Sequence, residues 1–225
     1  MTMQIPIFQI PTLAIEQSSD RFPVRRIYCV GQNYADHARE MGAGPDRGPP
    51  FFFSKPADAV VASGLRLPFP ARTGNLHHEV ELVIALGRGG VDVTPAQAPS
   101  LIFGHAVGLD LTRRDLQAEA KKAGRPWDLS KGFDRSAPIG ALKRGVPPSA
   151  GAITLTIDGA VRQSGDLEDM IWSVADIIAF LSGYVAVAAG DLIFTGTPAG
   201  VGAIQRGERV RGSIAGLEPV EVLFE

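Results

Sequence analysis

Asn75-Leu-His-His-Glu79-Val-Glu81-Leu-Val-Ile-Ala-Leu86 places two carboxylates two residues apart in a run that otherwise has the content of a buried strand. Side chains alternate faces along a strand. Glu79 and Glu81 are therefore expected on one face, roughly 6–7 Å apart at about 3.3 Å per residue, with Val80, Leu82 and Ile84 on the other. Like charges held in an apolar setting repel or take up a proton, whereas oxygen ligands on a rigid strand suit a hard divalent cation. The competing reading is an edge strand whose solvated face carries both acids.

A third acid strengthens the cation reading. Gly104-His-Ala-Val-Gly-Leu-Asp110 is a second apolar run ending in a carboxylate, and the chain turns helical in character through Asp115-Leu-Gln-Ala-Glu-Ala-Lys-Lys122. Asp110 could serve as the N-cap of that helix, as could Thr112 or Asp115. Taken with Glu79 and Glu81, it completes three carboxylates for an octahedral ion that keeps waters or accepts substrate oxygens, the habit of Mg²⁺ and Mn²⁺.

The chain has 225 residues, 45% of them hydrophobic, enough for one sizeable core, and no linker divides it. A net charge of −2 and a pI near 6.1 provide no basic field for nucleic acid. Cys29 is the only cysteine, so no internal disulfide framework exists. The N-terminus lacks the basic start and unbroken apolar core of a signal peptide, and no run of about 18 apolar residues could span a bilayer. Cytoplasmic residence and no membrane partner are the default expectations.

Strand signals dominate. Arg26–Gly31, Glu79–Leu86, Leu101–Leu109, Asp191–Thr195, Glu208–Gly212 and Val220–Phe224 read as strands. Ile153–Ile157 and Ala160–Gln163 flank Asp158-Gly159, a hairpin with a type I′ turn. Helical patterning is clearest over Ser173–Ser182, with Ser173 as N-cap and Gly183 as the C′ residue. The 26 glycines and 17 prolines require many turns, and regular βαβ alternation is missing. A β-rich α+β fold is expected rather than a doubly wound sheet. Trp127 and Trp172 read as core anchors, and His77 and His78 as structural neighbours of the acids, since a hard ion prefers oxygen.

Gly31-Gln-Asn-Tyr-Ala-Asp-His37-Ala-Arg-Glu40-Met carries His37 and Glu40 three residues apart, which on a helix lets their side chains meet. A carboxylate that orients an imidazole lets it take a proton from water near neutral pH. An inconsequential surface pair has the same spacing. The Gly- and Pro-rich Gly42–Pro50 that follows is expected to form a mobile lid.

Several spaced motifs together resemble one family. Val30-Gly-Gln-Asn-Tyr-Ala-Asp-His37-Ala-Arg-Glu40, Lys55-Pro56, Leu76-His-His-Glu79-Val-Glu81, Gly108-Leu-Asp110-Leu-Thr-Arg-Arg114-Asp115-Leu-Gln117, Lys131 and Thr195-Gly-Thr197-Pro-Ala-Gly-Val-Gly202 resemble the fumarylacetoacetate hydrolase family, in that order. Within it the chain looks most like the acylpyruvate hydrolase branch, and Arg113–Trp127 is similar to bacterial fumarylpyruvate hydrolases. The resemblance implies a mixed β-sandwich roll over residues 23–225, with residues 1–22 an N-terminal extension packed on the same domain, and a homodimer. It also implies Mg²⁺ or Mn²⁺ on Glu79, Glu81 and Asp110, a water-activating pair at His37 and Glu40, a lysine near the metal at Lys131, and substrate contacts from Arg114, Gln117 and Thr197. Gln32 departs from the pattern, standing where relatives often carry Arg.

The implied reaction is hydrolysis of a carbon–carbon bond in a 2,4-dioxo acid, ideally fumarylpyruvate to fumarate and pyruvate in aromatic catabolism. The ion would act as a Lewis acid, His37 would activate water, and Lys131 and Gln117 would stabilise the oxyanion. Oxaloacetate decarboxylation, or isomerisation of 2-hydroxyhepta-2,4-diene-1,7-dioate, is the alternative at the same site. A non-catalytic binding protein of the same fold is a third reading. No Gly-x-Ser-x-Gly elbow, Walker A loop or His-Glu-x-x-His helix occurs, which removes serine hydrolase, P-loop and zincin chemistry.

Overall fold

The computed structural model describes residues 9–42 and 48–225. Strand Val80–Leu86 runs through the middle of an eight-stranded sheet. The order is Phe51–Lys55, Arg26–Gly31, Asp191–Phe194, Val80–Leu86, Ile102–Leu109, Ala137–Ile139 and Val60–Ala62, with Lys143–Arg144 paired to Gly104 and His105. Val80–Leu86 is antiparallel to both neighbours, so its backbone donors and acceptors are spent inside the sheet. All seven of its residues are buried. Val80, Leu82, Ile84 and Leu86 enter one core, and Val83 and Ala85 enter a second with Ile27, Cys29, Ala106, Leu192 and Phe194.

The edge-strand reading is thereby excluded, and two expectations are corrected. Beyond Glu81 the strand is apolar on both faces, because both faces are covered. It also starts at Val80 rather than Glu79. Leu76–His78 is a separate strand, between Thr112–Arg113 and Gly202–Ala203 in a three-stranded sheet, and Glu79 sits at the junction.

A five-stranded sheet closes the first core, in the order Ala160–Asp166, Ala152–Ile157, Arg209–Ile214, Val220–Phe224 and Leu65–Leu67. Parallel pairs (Arg26–Gly31 with Asp191–Phe194, Val220–Phe224 with Leu65–Leu67) occur among antiparallel ones, so the strand-rich mixed roll is as expected. The hairpin turn has positive φ at both Asp158 (48°) and Gly159 (84°), the requirement of type I′. Thr12–Ala14 pairs with Arg21–Pro23, and Leu13, Ile15 and Phe22 bury themselves in the second core.

The described helices are Ala35–Glu40, Arg114–Lys122, Asp128–Lys131 and Val174–Ser182. Ser173 Oγ accepts from the Asp176 N–H, and Asp176 Oδ2 accepts from the Ser173 N–H, a reciprocal cap that starts Val174–Ser182 as expected. Gly183 does not adopt the left-handed conformation expected of C′. Its φ is −74°, because the Gly183 and Tyr184 N–H groups close tight turns onto Phe180 and Leu181. No helix among the described residues is long and apolar enough to cross a membrane.

Gly108 faces Glu81 across the ladder, and a Cβ there would lie 2.5 Å from Val83 Cγ2 and 2.8 Å from Phe194 Cε1. Gly108→Ala should overpack the second core and destabilise by about 1–3 kcal/mol. A lowered urea midpoint at unchanged slope is the expected result; an unchanged midpoint would mean the core yields there.

Candidate active site

Where the two central strands reach the three-stranded sheet, the Asp110 N–H donates to the Glu79 carbonyl at 2.8 Å and fixes the acid-bearing segments to each other. Glu79, Glu81 and Asp110 are buried, and their ligand oxygens lie within 4.8 Å of one another. Asp110 does not cap the following helix, whose start at Arg114 has no side-chain cap. Asp115 instead accepts from Thr73 Oγ1 and the Gly74 and Leu116 N–H groups.

Three cations surround the acids. Lys131 Nζ donates to Glu79 Oε2 at 2.7 Å and to Asp110 Oδ2 at 2.6 Å, Arg114 Nη2 donates to Glu79 Oε1 at 2.5 Å, and Lys55 Nζ lies 2.8 Å from Asp110 Oδ1. Lys55 directs its hydrogen bonds to the Leu111 and Lys131 carbonyls, so buried Asp110 Oδ1 accepts none. Burial raises the pKa of Glu79, but Lys131 and Arg114 outweigh it and hold the group well below the carboxylate range. Glu81 has no cation of its own. Its Oε2 accepts from the Gly196 N–H at 2.7 Å, and burial, then Asp110 and Glu79, push its pKa well above the carboxylate range.

These residues fit a divalent ion. All three donors are carboxylates, Asp110 Oδ1 has an open lone pair in a buried setting, and Glu81 lacks the compensating charge its neighbours have. The histidines are committed elsewhere. His78 Nδ1 meets Gln163 Oε1 at 2.9 Å, and His77 Nδ1 accepts from Arg114 Nε. Burial and then the Arg114 charge lower the His77 pKa to about 4.

His37 and Glu40 meet on the short helix Ala35–Glu40, with Nδ1 3.2 Å from Glu40 Oε2. Glu40 also accepts from the Gly200 N–H at 3.2 Å. With its Nδ1 side turned to Glu40, His37 joins Glu79, Glu81, Asp110, Arg114, Gln117, Lys131 and Thr197 on the wall of one cavity. All nine residues singled out from sequence are thus in one place. Glu40 reaches it through His37, and the others line it.

Within this wall Gln117 is buried and its Oε1 accepts from Arg114 Nη1 at 2.6 Å, leaving its amide N–H groups for a ligand. The Thr197 hydroxyl donates to the Val80 carbonyl and accepts from Gln163 Nε2, both at 2.8 Å, so its proton serves the scaffold. Gln32 lines the cavity in the left-handed region, with φ of 57°. Trp127 is corrected from core anchor to cavity rim: it is only partly buried and packs on Phe51 and Phe53. Trp172 does pack against the first core. Residues 43–47 of the expected lid lie outside the described residues.

Two contributors carry no role in the sequence reading. Lys55 lies in a recognisable Lys-Pro pair, but only the fold brings its Nζ to Asp110. In the Gly-rich 195–202 loop, Gly196 and Gly200 have φ of 98° and 95°, and each turns a backbone N–H onto a site carboxylate. A Cβ on Gly200 would lie 2.4 Å from the Arg162 carbonyl, so the close approach requires glycine.

The fumarylacetoacetate hydrolase C-terminal family model matches residues 26–223, and the chain belongs to this family of enzymes. The crystal structure of fumarylpyruvate hydrolase from Pseudomonas aeruginosa, in complex with Mn²⁺ and pyruvate, superposes with a TM-score of 0.96 at 51% identity, covering 99% of each chain. The fumarylpyruvate hydrolase of a Ralstonia species is 42% identical over 174 residues, 76% of this chain and 91% of that one. A mitochondrial oxaloacetate tautomerase of Rattus norvegicus is also 42% identical, over 86% of this chain and 88% of its own. The acidic triad of this chain has the donor set and spacing that could hold a divalent ion.

Metal-free protein should show the strain at Glu81. The folded state keeps a proton on Glu81 that the unfolded chain releases near the ordinary value of 4.5, so the native state binds more protons above that pH. Stability of the chelator-treated protein should therefore fall as pH rises above 4.5 towards the folded value. Glu81→Gln keeps an acceptor for Gly196 without the charge. It should flatten this fall in melts from about pH 5 to 8, and weaken Mn²⁺ binding by roughly a hundredfold or more. Parallel curves for the two proteins would remove the assignment of strain to Glu81.

Proposed function

We propose that this protein hydrolyses the carbon–carbon bond of an acylpyruvate, with fumarylpyruvate as best substrate, to give fumarate and pyruvate. The observation that carries the reading is the convergence of the acid triad and the His37–Glu40 pair on one cavity. Bound to Glu79, Glu81 and Asp110, Mg²⁺ or Mn²⁺ supplies a Lewis acid for the pyruvyl end of the substrate. With all three carboxylates ionised around a divalent ion, Lys55, Lys131 and Arg114 offset their charge and the ion's two positive charges remain in excess. That excess suits a dianionic substrate.

Glu40, held by Gly200, accepts a hydrogen bond from the His37 Nδ1–H, which leaves Nε2 as the base. His37 then removes a proton from water attacking the distal carbonyl, and later returns it to the methylene carbon of departing pyruvate. Lys131 spends two of its three N–H donors on Glu79 and Asp110, so one remains for the developing oxyanion, beside the free amide of Gln117. Arg114, fixed by Glu79 and Gln117, holds a substrate carboxylate, and Thr197 forms the opposite wall.

The rat relative, an oxaloacetate tautomerase, supports a second reading, isomerisation of oxaloacetate, which shares the pyruvyl end but needs no attack by water. We also propose a homodimer acting in aromatic catabolism, as the family resemblance implies.

With Mn²⁺ restored to chelator-stripped protein, the ultraviolet absorbance of fumarylpyruvate should fall rapidly and that of oxaloacetate slowly. His37→Ala and Glu40→Ala should each lower kcat by about 10²–10⁴ while binding Mn²⁺ normally. Wild-type turnover in both variants would overturn the water-activating assignment, and wild-type preference for oxaloacetate would move the protein to the second reading. A single sedimentation boundary at twice the chain mass would agree with the dimer.

A further inference from the structure

The cavity wall carries three described cations, and two are already paired with the acids. Arg114 and Lys131 are bound to Glu79 and Asp110, leaving them charge-compensated before any substrate arrives. The third, Lys121 in the last turn of helix Arg114–Lys122, has no carboxylate partner among the described residues. It is positioned instead by the Trp127 indole, with Nζ 5.1 Å from the ring centroid, and Trp127 is braced by Phe51 and Phe53. An ammonium group left without a carboxylate partner on the wall of a cavity is a standing anion site.

We propose that Lys121, held over Trp127, binds the distal carboxylate of a dicarboxylic acyl group and makes the enzyme selective for dicarboxylic over neutral acylpyruvates. This rests on the acylpyruvate reading above. Its logic is positional. The metal cluster takes the pyruvyl end, so the far carboxylate of fumarylpyruvate points away from the acids and needs a cation that the acids have not claimed. Lys121 meets that need from the cavity wall, as an exposed side chain with its Nζ over the Trp127 ring. Burial and then the nearby Arg114 charge lower its pKa from the ordinary lysine value, a penalty that an incoming carboxylate would relieve.

The test compares fumarylpyruvate with acetylpyruvate, which lacks the distal carboxylate, in Mn²⁺-loaded wild type, Lys121→Met and Lys121→Arg. Lys121→Met should lower kcat/KM for fumarylpyruvate by at least about tenfold, mainly through KM, the scale expected for loss of one charge-assisted hydrogen bond. Acetylpyruvate turnover should stay within about twofold, which also shows that the variant is folded and metal-loaded. Lys121→Arg should restore most of the preference. Equal losses on both substrates, or no loss on either, would overturn the assignment of Lys121 while leaving the hydrolase reading intact. Failure of the wild type to cleave either substrate would overturn the hydrolase reading and this proposal with it.

Discussion

Three carboxylates held within 4.8 Å of one another, out of water, are the constraint on which the rest of this structure depends. Left alone they would protonate or drive the strands apart. Lys55 and Lys131 flank Asp110, and Lys131 and Arg114 flank Glu79. Glu81 is left with one backbone N–H and an elevated pKa. This distribution is uneven in a useful way. A fully compensated cluster would have little affinity for an ion, and an uncompensated one would not fold. The arrangement pairs Glu79 and Asp110 with cations and leaves Glu81 as the acid without one.

The same residues explain why the roll is built as it is. Val80–Leu86 has to be central and rigid, because Glu81 is aimed by the ladder that pairs it with Gly108. The Gly-rich 195–202 loop ties the acid triad to the His37–Glu40 pair. Gly196 holds Glu81, Gly200 holds Glu40, and the Thr197 hydroxyl binds the Val80 carbonyl between them. Asn33, four residues before His37, donates to the Thr195 carbonyl at 2.8 Å. The acid triad and the His37–Glu40 pair are thus referenced to one stretch of backbone, so their separation does not depend on long, flexible side chains.

The acid triad and the His37–Glu40 pair were legible because both are short-range patterns, spaced acids in apolar strands and an i, i+3 pair on a helix. Type I′ Asp158-Gly159 and the Ser173 cap were legible for the same local reason. What the sequence hid depends on tertiary approach. Lys55 is 55 residues from Asp110 and acquires meaning only when Phe51–Lys55 becomes the outer strand beside Arg26–Gly31. Glycines 196 and 200 act through backbone N–H groups, which no residue type advertises. Trp127 misled because bulk and aromaticity describe a core side chain and a cavity rim equally well.

The division of labour among the cations follows from burial. Lys55 and Lys131 are almost wholly enclosed, and an enclosed ammonium is stable only beside a carboxylate, so both are tied to the acids. Lys121 is exposed enough to remain charged without such a partner, because water supplies its solvation until a ligand replaces it. Depth in the cavity therefore sorts positive charge into two tasks. Deep cations hold the acid triad in place, and the shallow one has no carboxylate partner among the described residues. On the role proposed for Lys121, discrimination between acyl groups would reside at the rim and the chemistry at the floor, and the two could vary separately on one scaffold.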